Sequence, residues 1–243
     1  MLGPNQPVPS KPIDPTAGVK AAPDARKRPL SEASFVVVDL ETTGLNPGPG
    51  RIIEIGAQRV EQFTPGTAFQ TLVRPSAPVS PFITSLTSIT NRMVKTAPRP
   101  QRALAAFRSF VGDAVLVAHH ARFDLGFLEA ELGRLFHLPL SNPVVCTVAM
   151  ARALLPEPRP RRYSLDHLAR HLSLPVEQRH RALPDAQLTA LLLIQLLQLA
   201  VRRGVGYVDE LPGLLSSESR PGASVDGRRR PRRHGERSPT RRR

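Results

Sequence analysis

Hydrophobic positions fall into two patterns along this chain. In the first half they form short β-branched runs broken by turn residues, and in the second half they recur at helical spacing. Phe35–Leu40 (Phe-Val-Val-Val-Asp-Leu) is apolar except for one acid and leads into a Gly, Asn and Pro-rich stretch over Gly44–Gly50, which predicts a buried strand and a loop. Arg51–Val60 and Phe69–Arg74 predict two more strands, with Pro65 and Gly66 turning the chain between them. These three strands are expected to form an antiparallel meander. Leu104, Phe107, Phe110 and Val111 mark a helix over Gln101–Val111. Ala114–Ala118 predicts a fourth strand and Phe123–Phe136 a helix. A fifth strand starts near Pro143 and runs into a helix carrying Ala149–Leu155. Ser164–Leu172 is a short helix with Leu165, Leu168 and Leu172 on one face. Asp185–Val201 is the longest helix, with Pro184 at its first turn, where a missing N–H costs nothing. Strands followed by strand–helix alternation predict an α/β domain with a mixed sheet.

The flanks differ. Residues 1–34 contain 7 Pro and residues 201–243 hold 12 Arg against 5 acidic residues; neither shows apolar periodicity. A foldable unit over 35–203 between a Pro-rich tail, 1–34, and an Arg-rich tail, 204–243, is therefore expected, with both tails disordered. The whole chain carries +14. That excess points to a polyanionic partner, nucleic acid before membrane. The start has no apolar core of a signal peptide. The stretch Leu188–Val201 is shorter than the about 20 apolar residues a bilayer span needs. A cytoplasmic protein without a membrane partner is the default expectation. A single Cys excludes a disulfide framework and a Cys-rich zinc site.

Three places carry candidate chemistry. Asp39 ends an apolar strand, where a carboxylate is costly without a cationic partner. Glu41, two residues on, points to the same face. Thr42, Thr43 and Gly44 follow as a turn whose backbone a ligand can approach. Two carboxylates on one face suit a hard divalent cation that also touches phosphate. Next, Ala118–Asp124 (Ala-His-His-Ala-Arg-Phe-Asp) runs from a strand through a His pair into a helix. His119 and His120 point different ways and lack a third ligand at zinc spacing. Last, His180–Asp185 (His-Arg-Ala-Leu-Pro-Asp) places an imidazole before a helix and an acid in its first turn. Taken singly, each reads as a solvated acid or a helix-capping residue. Taken together, they put four carboxylates at strand ends and helix starts of one α/β unit, where open sheets bind ligands. Such a group repels itself unless cations neutralise it. Two Mg²⁺ or Mn²⁺ ions would do so, in the two-metal arrangement suited to phosphodiester cleavage.

These segments resemble the three motifs of the DEDDh 3′→5′ exonuclease family. Val38–Leu45 resembles the first, Ala118–Leu128 the second, and His180–Asp185 the third, of form H-x-A-x-x-D. The order and the connecting segments, such as Ser88–Val94 and Tyr163–Leu168, resemble the epsilon (proofreading) subunit of bacterial DNA polymerase III and its stand-alone paralogues. The resemblance covers about residues 35–200. It implies a ribonuclease H-like fold and release of nucleoside 5′-monophosphates from a 3′ end, DNA favoured. It implies that Asp39, Glu41, Asp124 and Asp185 bind the metals and that His180 is the general base. It also implies that Thr42, Thr43, Gly44 and Leu45 hold the terminal nucleotide. Single-stranded or frayed 3′ ends are then the substrate, and a DNA polymerase catalytic subunit is a partner that the resemblance allows but does not require. Three positions depart from the family: His120 stands for its usual Asn near the substrate, Thr87 for a substrate-contacting His, and Cys146 for an Asp. Cys146 is expected to be a buried small residue. A 3′→5′ exoribonuclease shares every motif, and a non-catalytic nucleic-acid-binding subunit would be missing one of the acids or the His.

Overall fold

The computed structural model describes residues 24–156, 162–176 and 180–215. Five strands form one sheet: β1 (Ser34–Thr42), β2 (Ile52–Glu61), β3 (Thr64–Leu72), β4 (Val115–Ala118) and β5 (Val144–Cys146). Their spatial order is β3-β2-β1-β4-β5. β1, β2 and β3 are an antiparallel meander, whereas β4 runs parallel to β1 and β5 parallel to β4. The mixed five-stranded sheet is as expected from the alternation of elements.

Helices cover both faces. Val36, Val38, Leu40, Leu116 and Ala118 point to one side, under α3 (Pro100–Val111) and α4 (Arg122–Phe136). Phe35, Val37, Val115 and Val117 point to the other, under α5 (Thr147–Leu154), α6 (Leu165–His171) and α7 (Ala182–Arg202). The period-2 alternation of β1 thus feeds two cores. Asp39 and Glu41 continue the parity of Phe35 and Val37, so they lie on the α7 side.

Among the described residues α7 alone is long and apolar enough to cross a membrane. At 21 residues it exceeds the Leu188–Val201 stretch legible in sequence. Here it is the central core helix, with Leu188, Leu192, Leu193, Leu196, Leu197 and Ala200 buried along one stripe.

Four features differ from the sequence expectations. The β2–β3 turn falls at Gln62 and Phe63, both at positive φ (48° and 58°), as a two-residue hairpin loop requires. Pro65 and Gly66 lie inside β3 instead, which is an edge strand and so tolerates a proline. Two short helices, α1 (Pro81–Thr87) and α2 (Asn91–Lys95), occupy the segment after β3. Their caps, Ser80 and Thr90, accept the N–H groups of Ile83 and Met93. The folded unit also reaches beyond 35–203. Leu30, Ala33, Val208 and Leu211 are buried, Pro29 bridges Tyr207, and Leu214 bridges Val145 at the edge of β5. An ion pair between Arg28 and Asp113 holds the first flank down. The remainder of both tails lies outside the described residues.

Candidate active site

β1 and β4 pair over Phe35–Val37 and Val115–Val117, and β1 runs on to Thr42 beyond the end of β4 at Ala118. The carboxyl ends of parallel strands are the usual ligand position in open α/β sheets. The register of β1 against β2 shifts between Glu41 and Thr42, a bulge of the sort that re-aims side chains beside sites.

Asp39 and Glu41 stand at this end of β1, and Asp185 lies in the first turn of α7. One carboxylate oxygen from each of the three lies within 4.8 Å of the others. Two acids of β1 and one of α7, far apart in sequence, are thus brought together. Hard oxygen donors at this mutual distance fit a divalent cation. Asp124 stands outside that trio, in the first turn of α4, and is 4% exposed. Burial pushes its carboxyl up to about 8; backbone N–H groups of Asp124 and Leu40 pull it down, and the charge of Glu41 pushes it further up. The Leu40 contact and the Glu41 field place Asp124 beside the same strand end. A cation bound there would reverse this balance by favouring the ionised form.

His180 precedes α7 with φ of 61°, a left-handed conformation costly for a histidine. Its backbone N–H donates to Asp185 Oδ2 at 3.1 Å, and its side chain is exposed. The backbone that carries the imidazole is therefore hydrogen-bonded to the carboxylate trio.

The sequence-predicted substrate residues divide. Leu45 is 87% exposed, and a Cβ on Gly44 would meet nothing within 4 Å, so this turn leaves room for a ligand. Thr42 and Thr43 shape the turn: the Thr42 hydroxyl donates to the Gly44 carbonyl at 2.6 Å, and Thr43 Oγ1 accepts the Arg51 N–H at 2.9 Å. His120 is exposed and lines an open cavity of about 570 Å³ with Arg122, Arg152 and Cys146. Two expectations need correction. Thr87 is 1% exposed, its hydroxyl donating to Ile83 O and accepting from Ile89 N, so it ends a helix and offers a nucleotide no surface. Cys146 is half-buried in the cavity wall, not enclosed in the core. His119 uses both ring nitrogens, on Thr147 Oγ1 and the Tyr163 carbonyl, each at 2.9 Å.

One pair at the site escaped the sequence reading. Glu54 on β2 is fully buried and holds Arg181, the residue after His180, through two hydrogen bonds. The signal was an acid inside the apolar run Ile52–Ile55, the same anomaly that singled out Asp39.

The exonuclease family model (RNase T type) matches residues 36–193. DNA polymerase III of the PolC type from Bacillus subtilis is 38% identical over 195 residues, 80% of this chain and 13% of the polymerase. The Thermotoga maritima counterpart is 34% identical over 185 residues, 76% of this chain and again 13% of the polymerase. The chain therefore spans a small part of these curated relatives. Among solved structures, Exonuclease X in complex with 5′ overhanging duplex DNA aligns with a TM-score of 0.57 and 29% identity, over 74% of this chain and 97% of that one. The nuclease domain of 3′hExo, a DEDDh family member bound to rAMP, aligns with a TM-score of 0.61 and 22% identity over 69% and 92%, which speaks to fold alone. With a family match over most of its length, three converging carboxylates and a sheet shared with these enzymes, the chain belongs to the exonuclease family, on a ribonuclease H-like fold.

Proposed function

We propose that this protein removes nucleoside 5′-monophosphates from DNA 3′ ends by two-metal hydrolysis. The observation that carries the reading is the approach of Asp39, Glu41 and Asp185 to within 4.8 Å at the end of β1, with Asp124 beside Glu41. These four carboxylates would hold the cations, Mg²⁺ or Mn²⁺, which on binding lower the pKa of a bound water and neutralise charge on the phosphate. His180 would serve as the base that takes a proton from the attacking water; an imidazole accepts and releases protons near neutrality. Its exposed position on a loop suits proton exchange with solvent. The Thr42–Leu45 turn positions the terminal nucleotide, and its internal hydrogen bonds pre-set that shape. Arg122 and Arg152 give the neighbouring cavity cationic walls for the phosphates upstream, with His120 beside them as a hydrogen-bonding side chain.

Similarity to PolC-type DNA polymerases and to a DNA-bound exonuclease supports DNA as substrate and a polymerase as partner. Purified protein incubated with 3′-labelled single-stranded DNA and RNA, in Mg²⁺, Mn²⁺ or EDTA, tests substrate and metal together. Mononucleotide release from DNA in either metal and none in EDTA is expected. Release confined to RNA makes the protein an exoribonuclease, and no release from either strand ends the catalytic reading. Co-elution with a replicative polymerase subunit tests the partnership.

A further inference from the structure

The sheet face beneath α7 has a polar end made of two cross-strand pairs. Asp39 stands opposite Gly56, and Glu41 opposite Glu54. Paired residues of antiparallel strands share a face. Asp39 and Glu41 belong to the carboxylate trio. Glu54 and Gly56 instead engage the start of α7.

Glu54 Oε2 accepts Arg181 Nε and the Ala182 N–H, both at 3.0 Å. Its Oε1 accepts Arg181 Nη2 at 2.6 Å and Gln70 Nε2 at 2.9 Å. A fully buried carboxylate is tolerated with such a complete set of donors. At Gly56 an added Cβ would come within 2.2 Å of Ala182 C and Leu183 N, so the helix backbone rests directly on the strand. One contact fixes the height of the helix start, the other its direction. Arg181 and Ala182 lie between His180 and Asp185, and the His180 N–H donates to Asp185. Whatever holds these two middle residues holds the flanking pair.

We propose that Glu54, through Arg181 and the Ala182 N–H, is a positioning residue for hydrolysis, setting His180 and Asp185 against the Asp39–Glu41 edge. This rests on the nuclease reading above. It has a second consequence. Glu41, directly across from Glu54, also acts on the Arg181 charge. Without Glu54 the guanidinium turns to Glu41 and competes with the cation for that carboxylate.

The test is steady-state mononucleotide release from single-stranded DNA by the full chain, with Mg²⁺ titrated and folding followed by thermal melting. Glu54→Gln is expected to lower kcat roughly 10–100-fold, the loss that follows small misplacement of catalytic groups, with KM little changed. The Mg²⁺ concentration for half-activity should rise, and adding Arg181→Gln should bring it back toward wild type without restoring kcat. If Glu54→Gln does not fold, Arg181→Lys carries the test, since it keeps the charge and loses the two-pronged contact. Wild-type kcat and Mg²⁺ dependence in a folded Glu54→Gln or Arg181→Lys protein overturns the clamp. So does an activity loss that only tracks the unfolded fraction with unchanged Mg²⁺ dependence. His180→Ala and Asp185→Asn run alongside: full activity in both removes the nuclease reading itself, whereas loss in both with none in the clamp variants removes the clamp alone.

Discussion

The two ends of α7 do different work. Its first turn, Ala182–Asp185, meets the sheet through polar contacts with Glu54 and brings an acid to the carboxylate trio. Its remaining turns bury Leu188, Leu192, Leu193, Leu196 and Leu197 against Phe35, Val37 and Val117. One helix thus joins the core to the carboxylate trio: the leucines are buried along its later turns, while its first turn carries Asp185 and rests on Glu54. Side chains on a packed helix hold catalytic geometry better than side chains on loops. The teaching is that rate and stability should be separable along this element.

The largest separation is expected at Asp185. Asp185→Asn should abolish nearly all release of mononucleotide while the melting temperature stays near wild type, because the amide still accepts the His180 N–H; a large melting shift breaks the comparison. His180→Ala should follow, costing roughly 10²–10⁴ in kcat, the usual worth of a general base, with little change in melting because the side chain is exposed. The opposite end gives the converse. Leu193→Ala should destabilise by about 2–5 kcal/mol in denaturant titration, from lost burial and the cavity left, with the rate per folded molecule unchanged. Loss of specific activity there would show that the two ends are not independent.

A pH series sharpens the same contrast. Asp124 rises from the ordinary 3.8 to about 8, so the folded protein keeps a proton that the unfolded chain releases. In EDTA its contribution to stability is therefore full below about pH 4 and lost progressively as pH rises towards about 8. Saturating Mg²⁺ should remove that decline, and Asp124→Asn should flatten it; melting curves at intervals across the range read both. The smallest effect is expected from the tail. Truncation after Leu215 removes Arg228–Arg230, Arg232, Arg233 and Arg241–Arg243 and should make DNA binding less salt-dependent while leaving melting unchanged. Truncation after Gly204 should cost stability, because it also deletes the buried Val208 and Leu211. Equal melting of the two truncations would contradict the packing of that flank.

Much of the fold was legible because its elements announce themselves locally. The run Phe35–Leu40 reads as a strand from β-branched residues alone, and α7 from its leucine spacing. The helices α1 and α2 were harder, since seven and five residues are too few to show a period. Their Ser80-Pro81 and Thr90 cap signals were nonetheless present. The Gln62–Phe63 turn was hidden because neither residue favours positive φ; strand pairing imposes it. Thr87 shows the limit of transfer by resemblance: its place in the motif order suggested substrate contact, and its packing gives it an internal role.

At the site, an acid inside an apolar run singled out Asp39, and the resemblance of three motifs in order to an exonuclease family nominated Glu41, Asp124, Asp185 and His180 beside it. Which of them come together depended on the folded molecule. The approach of Asp185 to Asp39 and the capture of Arg181 by Glu54, 127 residues away, follow from strand register and from a helix resting on a glycine. Local preference acts between near neighbours along the backbone, whereas these contacts exist only once the sheet and α7 have packed, so no stretch of sequence encodes them alone.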